Sequence, residues 1–258
     1  VEPVDEHQHN RQTFDRPDVV EFYERFDTIL PAEDLVFGWA IAEGAEVLDL
    51  GVGAGRTTGR LRERVGSGGR YVGVDYATGM VRAAAHRHAD ESFVQADATR
   101  LPFADASFDV VVFSFNGLDC IHPAARRLEA IDEMRRVLRP RGRAIVSGHN
   151  PRAFIVAPRP LRGVAPKVAI YRAGVAVRDS VVRLGRAVRT RPFWTGSGYY
   201  PDPEHGGNLF HAATPDAFVD PLVAAGFVRT GGPTPADHPQ RVSRFRNGWY
   251  YYVFDRAD

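Results

Sequence analysis

The 258-residue chain holds one cysteine, Cys120, and one lysine, Lys167. A lone thiol excludes an intramolecular disulfide and a cysteine-rich zinc site, so a reducing compartment, the cytoplasm, is expected. The lysine deficit leaves arginine to carry the positive charge, a bias that fits a GC-rich genome. Apolar runs are short, and none approaches the roughly 18–20 residues that span a bilayer. The opening stretch VEPVDEHQHN is polar and acidic, unlike a signal peptide. Internal repeats and low-complexity tracts are missing as well. So is an excess of charge of either sign: the formal net charge is +1, which argues against a surface tuned throughout to nucleic acid. What remains is an ordinary globular composition, 44% hydrophobic and 25% charged, with ample material for a core.

Periodicity divides the chain into five stretches. Residues 1–18 read as a loose polar arm, and 19–45 as one or two helices broken at Pro31. From 46 to 150 short apolar strands alternate with helices. The strands are EVLDL (46–50), YVGVD (71–75), SFVQAD (92–97), FDVVVFSF (108–115) and RAIVSGH (143–149). The helices are TTGRLRERV (57–65), GMVRAAAHRHA (79–89) and RRLEAIDEMRRVL (126–138), and RPRG (139–142) is a turn. Such alternation predicts a parallel α/β sheet with right-handed crossovers.

Residues 151–210 interrupt the pattern. Pro151, Pro158, Pro160 and Pro166 lead into a helical run with Ile170, Val177, Val181, Leu184 and Val188 on one face. Arg172, Arg183 and Arg186 fall on the other. Nine arginines and a lysine between 151 and 193 meet a single acid, a net of +9, so the rest of the chain carries −8. A basic, amphipathic insertion is expected here. The alternation resumes over 211–258, with a helix at 214–226 and strands at 227–232 and 248–256.

The turn after the first strand, VLDLGVGAGRTT, sets glycine at 51, 53 and 55 behind Asp49. In open α/β sheets ligands sit beyond the carboxyl ends of the strands, where strand order reverses. A dinucleotide turn spaces its glycines G-x-G-x-x-G. Here the third comes one residue early, and Arg56 stands where that motif has glycine. No Lys-Ser/Thr pair follows, which excludes a P-loop. A ligand without a pyrophosphate fits better. Asp75 then has the position of a ribose-hydroxyl acceptor. Asp97 has that of an acceptor for an exocyclic adenine amine, with the Ala98 N–H toward a ring nitrogen. Tyr76 and Met80 offer apolar surface to the adenine. Each acid alone reads more often as a helix N-cap; in order at consecutive strand ends, they point to a nucleoside.

VLDLGVGAG, YVGVDYATGMV, FVQADATRLPF, FDVVVFSF and EMRRVLRPRGRAIVS resemble the successive motifs of class I S-adenosylmethionine-dependent methyltransferases, over about residues 44–148. The resemblance implies a Rossmann-like, seven-stranded, mostly parallel sheet with helices on both faces. It places a mainly helical lid after strand five, within a single domain over 1–258. It implies S-adenosyl-L-methionine as cofactor and S-adenosyl-L-homocysteine as product. By resemblance, Gly51, Gly53 and Gly55 touch the methionine moiety, Asp49 supports their turn, Asp75 holds the ribose and Asp97 the adenine amine. Phe115 and Asn116 match the position beside the reacting methyl. Tyr23 matches an N-terminal tyrosine that closes over the cofactor in some subfamilies, and reads equally as a helix residue packed on the core.

Methyl transfer from a sulfonium is an in-line displacement, in which the protein positions the acceptor and excludes water. A hydroxyl acceptor also gains from a general base. His149, ending strand five, is the first candidate; Asp119 and His122 in NGLDCIH follow, with Asp119 reading equally as a helix cap. His205 and His211, in PEHGGNLFH, rank behind them on a loop returning over the cleft. Cys120 reads as a small buried thiol, and no metal site is expected. Trp194, Tyr199, Tyr200 and Phe210 are expected to line the side of the insertion that meets a small-molecule acceptor. The arginines admit a solvated helix face, an anionic acceptor, or a peripheral membrane contact through 166–191. Similarity to methyltransferases of natural-product and glycan pathways points to a hydroxyl of a small molecule or sugar. Small-molecule N-methylation, an RNA methyltransferase using the insertion, and a non-catalytic S-adenosylmethionine-binding module stay open.

Overall fold

A computed structural model describes residues 6–156, 165–202, 208–237 and 239–258. Three helices come first: α1 (Glu6–Phe14), α2 (Pro17–Arg25) and α3 (Pro31–Ala40). Proline opens both α2 and α3, at the position where its missing N–H leaves no helical bond unmade. The described part of the expected loose arm is therefore helical. Its anchors are remote in sequence: Asn10 Nδ2 donates to the Cys120 carbonyl at 2.7 Å, and Thr13 Oγ1 to Asn208 Oδ1 at 2.9 Å.

The alternating region follows as β1 (Glu46–Leu50), α4 (Thr58–Val65), β2 (Arg70–Asp75), α5 (Thr78–Arg87), β3 (Ser92–Gln95), β4 (Phe108–Phe113), α6 (Ala124–Val137) and β5 (Leu138–His149). The insertion holds α7 (Pro166–Ala187), α8 (Arg191–Thr195) and a hairpin of β6 (Ser197–Asp202) and β7 (Asn208–Ala213). Then come α9 (Pro215–Ala224), β8 (Phe227–Pro235) and β9 (Trp249–Arg256). Among the described residues, seven strands form one sheet in the order β3-β2-β1-β4-β5-β9-β8. Only β9 runs against the others. This is the Rossmann-like, mostly parallel sheet that the resemblance implies.

Period-two alternation in β1 splits the core. Leu48 and Leu50 join Met134 of α6 and Phe218 of α9 on one face, whereas Val47 joins Phe37 of α3 and Leu61 of α4 on the other. A buried ion pair ties α3 to the glycine turn. Arg56 meets Glu33 through two hydrogen bonds of 2.6 Å, and the buried Glu33 also accepts from Tyr251 OH at 2.6 Å and the Leu30 N–H at 2.9 Å.

Three local expectations change. The turn at 139–142 is the kinked start of β5, where Arg141 adopts φ +63°. β3 ends at Gln95, so Asp97 lies in the loop beyond it. The stretch read as a loop over 203–211 contributes β7 from Asn208 onward, because its residues pair with β6 from Ser197↔Ala213 to Asp202↔Asn208. His205 lies outside the described residues.

Candidate active site

Strand order reverses between β1 and β4, the place where open α/β sheets bind ligands. A cleft with an empty volume of about 1070 Å³ opens there. Tyr23, Gly51, Gly53, Asp75, Tyr76, Met80, Asp97, Ala98 and Phe115 line it; Asp49, Gly55, Asn116, Asp119, His122 and His149 do not. Asn10, Arg11 and Phe14 of α1 line it too. Sequence reading missed them because they belong to the stretch taken for a loose arm.

The glycines serve different ends. Gly53 adopts φ +56°, and a Cβ built there meets nothing nearer than Tyr23 Cδ1 at 3.9 Å, so its missing side chain keeps the cleft open. Gly55 instead makes room for His88: a Cβ would lie 2.8 Å from that ring, whose Nε2 bonds the Gly55 carbonyl at 2.9 Å. Asp49 braces the turn from behind. Its Oδ2 accepts from Thr57 Oγ1 at 2.8 Å and Tyr71 OH at 3.0 Å, and burial pushes its pKa up to about 7 against those bonds.

Asp75 accepts the Gly53 N–H on Oδ2 and the Ala77 N–H on Oδ1, both at 2.9 Å. Burial nonetheless raises its pKa to about 6. Asp97 accepts from the Thr99 N–H at 2.9 Å and Thr99 Oγ1 at 2.8 Å, while Arg126 Nη2 meets its other oxygen at 2.5 Å. These residues fit an adenosine-type group. One acid ends β2 and the other lies just beyond β3, buried Met80 and half-buried Ala98 add apolar surface to the cleft, and Gly53 leaves backbone accessible.

Immediately beyond Phe115 a second cluster begins. Asp119 sits on a single 3₁₀ turn, Gly117–Cys120, and is fully buried. Its Oδ2 accepts the His149 backbone N–H at 2.7 Å and bonds His149 Nδ1 at 3.0 Å; its Oδ1 bonds His211 Nδ1 at 3.1 Å. Burial alone would raise this carboxyl, but the two histidine hydrogen bonds outweigh it and hold the pKa at about 2. An ionised carboxylate only accepts, so both histidines carry hydrogen on Nδ1. Their Nε2 lone pairs then accept from Asn116 Nδ2 at 3.2 Å and from Ser197 Oγ at 2.9 Å. Asp119 is thus an internal anchor rather than a helix cap. Asn116 turns its side chain to His149, and its Oδ1 is buried without a partner. Arg127, on α6, brings a buried guanidinium whose pKa burial lowers and the Asp119 charge partly restores, while its Nε and Nη2 stay unpaired.

The His149 side chain keeps 24% of its surface exposed, with Phe210 and Trp249 edge-on to its ring at 5.8 and 6.0 Å. His122 stays outside the network and packs against Tyr199 at 4.7 Å. Asn150 is spent on the carbonyls of Arg244 and Asn247. Burial pushes the Cys120 thiol well above its ordinary pKa, which keeps it protonated. His211 gave little sequence signal because its partner lies 92 residues away.

Residues 47–142 match the family described as methyltransferase domain. This segment is a class I methyltransferase domain. Enzymes of this class use S-adenosylmethionine, which the cleft residues fit. The domain is similar to demethylmenaquinone methyltransferase of Beutenbergia cavernae, 39% identical over 149 residues, 58% of this chain and 54% of that protein. The demethylmenaquinone methyltransferase of a Mycobacterium species is 37% identical over 160 residues, 60% of this chain and 65% of that one. The chain thus spans between about half and two thirds of these relatives' length. In fold, the chain resembles the CcbJ methyltransferase of Streptomyces caelestis, with a TM-score of 0.64 at 17% identity over 96% of this chain and 99% of that one. It also resembles Burkholderia thailandensis 1,6-didemethyltoxoflavin-N1-methyltransferase, solved with 1,6-didemethyltoxoflavin and S-adenosylhomocysteine. That TM-score is 0.61 at 18% identity, over 100% of this chain and 93% of that one.

Proposed function

We propose that the chain transfers a methyl group from S-adenosylmethionine to a small molecule bearing an ionisable hydroxyl, with His149 as general base. One observation carries this reading. The Asn116–His149–Asp119 cluster starts one residue past Phe115, a wall of the cleft that fits adenosine. When bound, the cofactor supplies a methyl on a sulfonium, open to in-line attack. The Asp75 carboxylate accepts the ribose hydroxyls, Met80 and Ala98 cover the adenine, and Asp97 accepts its amine with the oxygen capacity Arg126 leaves. Phe14, Tyr23 and Phe115 keep water from the reacting end. His149 Nε2, released by Asn116, takes the acceptor's proton. Asp119 holds the ring in the required tautomer and stabilises the imidazolium, and Arg127 balances the carboxylate.

Removing that proton serves two acceptors. A hydroxyl of a small molecule or sugar becomes the nucleophile itself, whereas an ionised aromatic hydroxyl also activates the neighbouring ring carbon. The names of the relatives favour the second, a demethylmenaquinone-like acceptor. Incubation with S-adenosylmethionine carrying a labelled methyl, followed by NMR of the product, distinguishes methyl on oxygen, carbon or nitrogen. Cofactor binding without transfer to any acceptor, or transfer to bulk tRNA, would overturn the reading.

A further inference from the structure

Helix α7 wears its apolar residues on the wrong side for a helix packed only against its own protein. Ala176 is buried and Ala169, Ala173 and Ala187 are half-buried, so small residues face inward. The large ones face out: Ile170 is 74% exposed, Tyr171 72%, and Val168, Val177, Val181 and Val182 are exposed with them. On a helix, 170, 177 and 181 share one stripe, with 171 and 182 beside it. At the end of α7, Trp194 of α8 is 69% exposed, its indole N–H held by the Val188 carbonyl at 2.7 Å. Lys167, Arg178 and Arg189 are exposed on the flank of this stripe, the exposed Arg183 and Arg186 lie further round the helix, and Arg191 opens α8; between residues 165 and 195 Asp179 is the one acid. Asp179 is paired with Arg178 at 2.9 Å.

A contiguous apolar patch of this kind marks a surface that something covers, and the charge says what. We propose that α7 and α8 dock on an anionic lipid bilayer. The branched residues would enter the boundary of the acyl chains, Tyr171 and Trp194 would sit at headgroup level, and the long arginines would reach back to lipid phosphates. The face lies on the surface, since no helix among the described residues is long and apolar enough to cross a membrane. From α8 the chain passes at Gly196 into β6. There Ser197 bonds His211, and Tyr199 OH donates to the carbonyl of cleft-lining Ile121 at 2.7 Å. The docked face is therefore joined through one short strand to the Asp119 network. Its use in taking up a lipophilic acceptor rests on the methyl transfer proposed above; the docking itself does not.

The test is co-sedimentation of the full chain with vesicles of equal parts phosphatidylcholine and phosphatidylglycerol, and with vesicles of phosphatidylcholine alone. Binding to the first and little to the second is expected. Val177→Asp with Val181→Asp should lower partitioning at least about tenfold, since two branched side chains lose their burial. Arg178→Gln with Arg186→Gln and Arg189→Gln should lower it about a hundredfold. Trp194 emission should shift to the blue on anionic vesicles, and Trp194→Phe should remove that shift. S-adenosylhomocysteine calorimetry on each variant checks that it is folded and reads the cofactor site separately. No sedimentation with anionic vesicles, undiminished binding by the valine variant, or binding to tRNA in place of vesicles would overturn the proposal.

Discussion

Asp119 holds His149 twice through one oxygen, taking the backbone N–H at 2.7 Å and the Nδ1–H at 3.0 Å. Backbone and ring are thereby fixed together, and the Nε2 lone pair is left for chemistry. Asp119→Asn keeps the shape but loses the charge that sets the tautomer. Turnover should fall about 10²- to 10⁴-fold, as should turnover of His149→Ala. S-adenosylhomocysteine affinity should stay unchanged in both. Initial rates with calorimetry check this, and wild-type turnover in His149→Ala would remove the histidine from the mechanism.

Asp75 gives the cofactor site a pH dependence. Its pKa of about 6 lies above the ordinary 3.8, so the folded protein binds a proton between roughly pH 4 and 6 that the unfolded chain releases. The ionised group destabilises the empty protein at neutral pH, and its contribution to stability improves as pH falls through that window. Ribose hydroxyls donate to the ionised form, so affinity for S-adenosylhomocysteine should drop below pH 6, approaching about tenfold per pH unit. Asp75→Ala should bind about 10- to 100-fold more weakly at pH 7.5 and show a flat profile. Calorimetry across pH 5–8 decides.

Glu33 is a fully buried carboxylate whose bonds join α3, the glycine turn and β9. Glu33→Ala leaves the Arg56 guanidinium without its partner and should cost about 3–5 kcal/mol in urea unfolding. A loss below about 1 kcal/mol would mean that the pair is solvated in the native protein.

Gly148 precedes His149 in β5, and a Cβ there would lie 2.1 Å from Phe218 Cε2. Gly148→Ala overpacks the core by one methyl and should destabilise by about 1–3 kcal/mol. Any shift of β5 also displaces His149, so kcat should fall while S-adenosylhomocysteine affinity holds. Thermal unfolding and steady-state rates measure the two effects apart.

The parts legible in sequence are those with local signatures. Apolar runs of strand length separated by helical periods gave the sheet, and glycine spacing with Asp75 and Asp97 pointed to a nucleoside site at its edge. Asp119 was ambiguous because a carboxylate between a strand and a helix is an ordinary cap, and its partners stand 30 and 92 residues away. Asn10 and Phe14 were invisible, since nothing in a polar nine-residue helix announces that it docks beside Cys120 and Leu209.

Sequence by itself determined the alternation of strands and helices over residues 46–150, because burial on two faces dictates the residue pattern of each element. It also determined the identity of the cleft acids, because strand ends converge at the reversal of strand order. Only the tertiary structure decided that Asp119 grips two histidines, that α1 walls the cleft, and that the apolar stripe of α7 faces outward. Each of those depends on which surfaces meet across long stretches of chain, a choice made by packing and charge rather than by local preference.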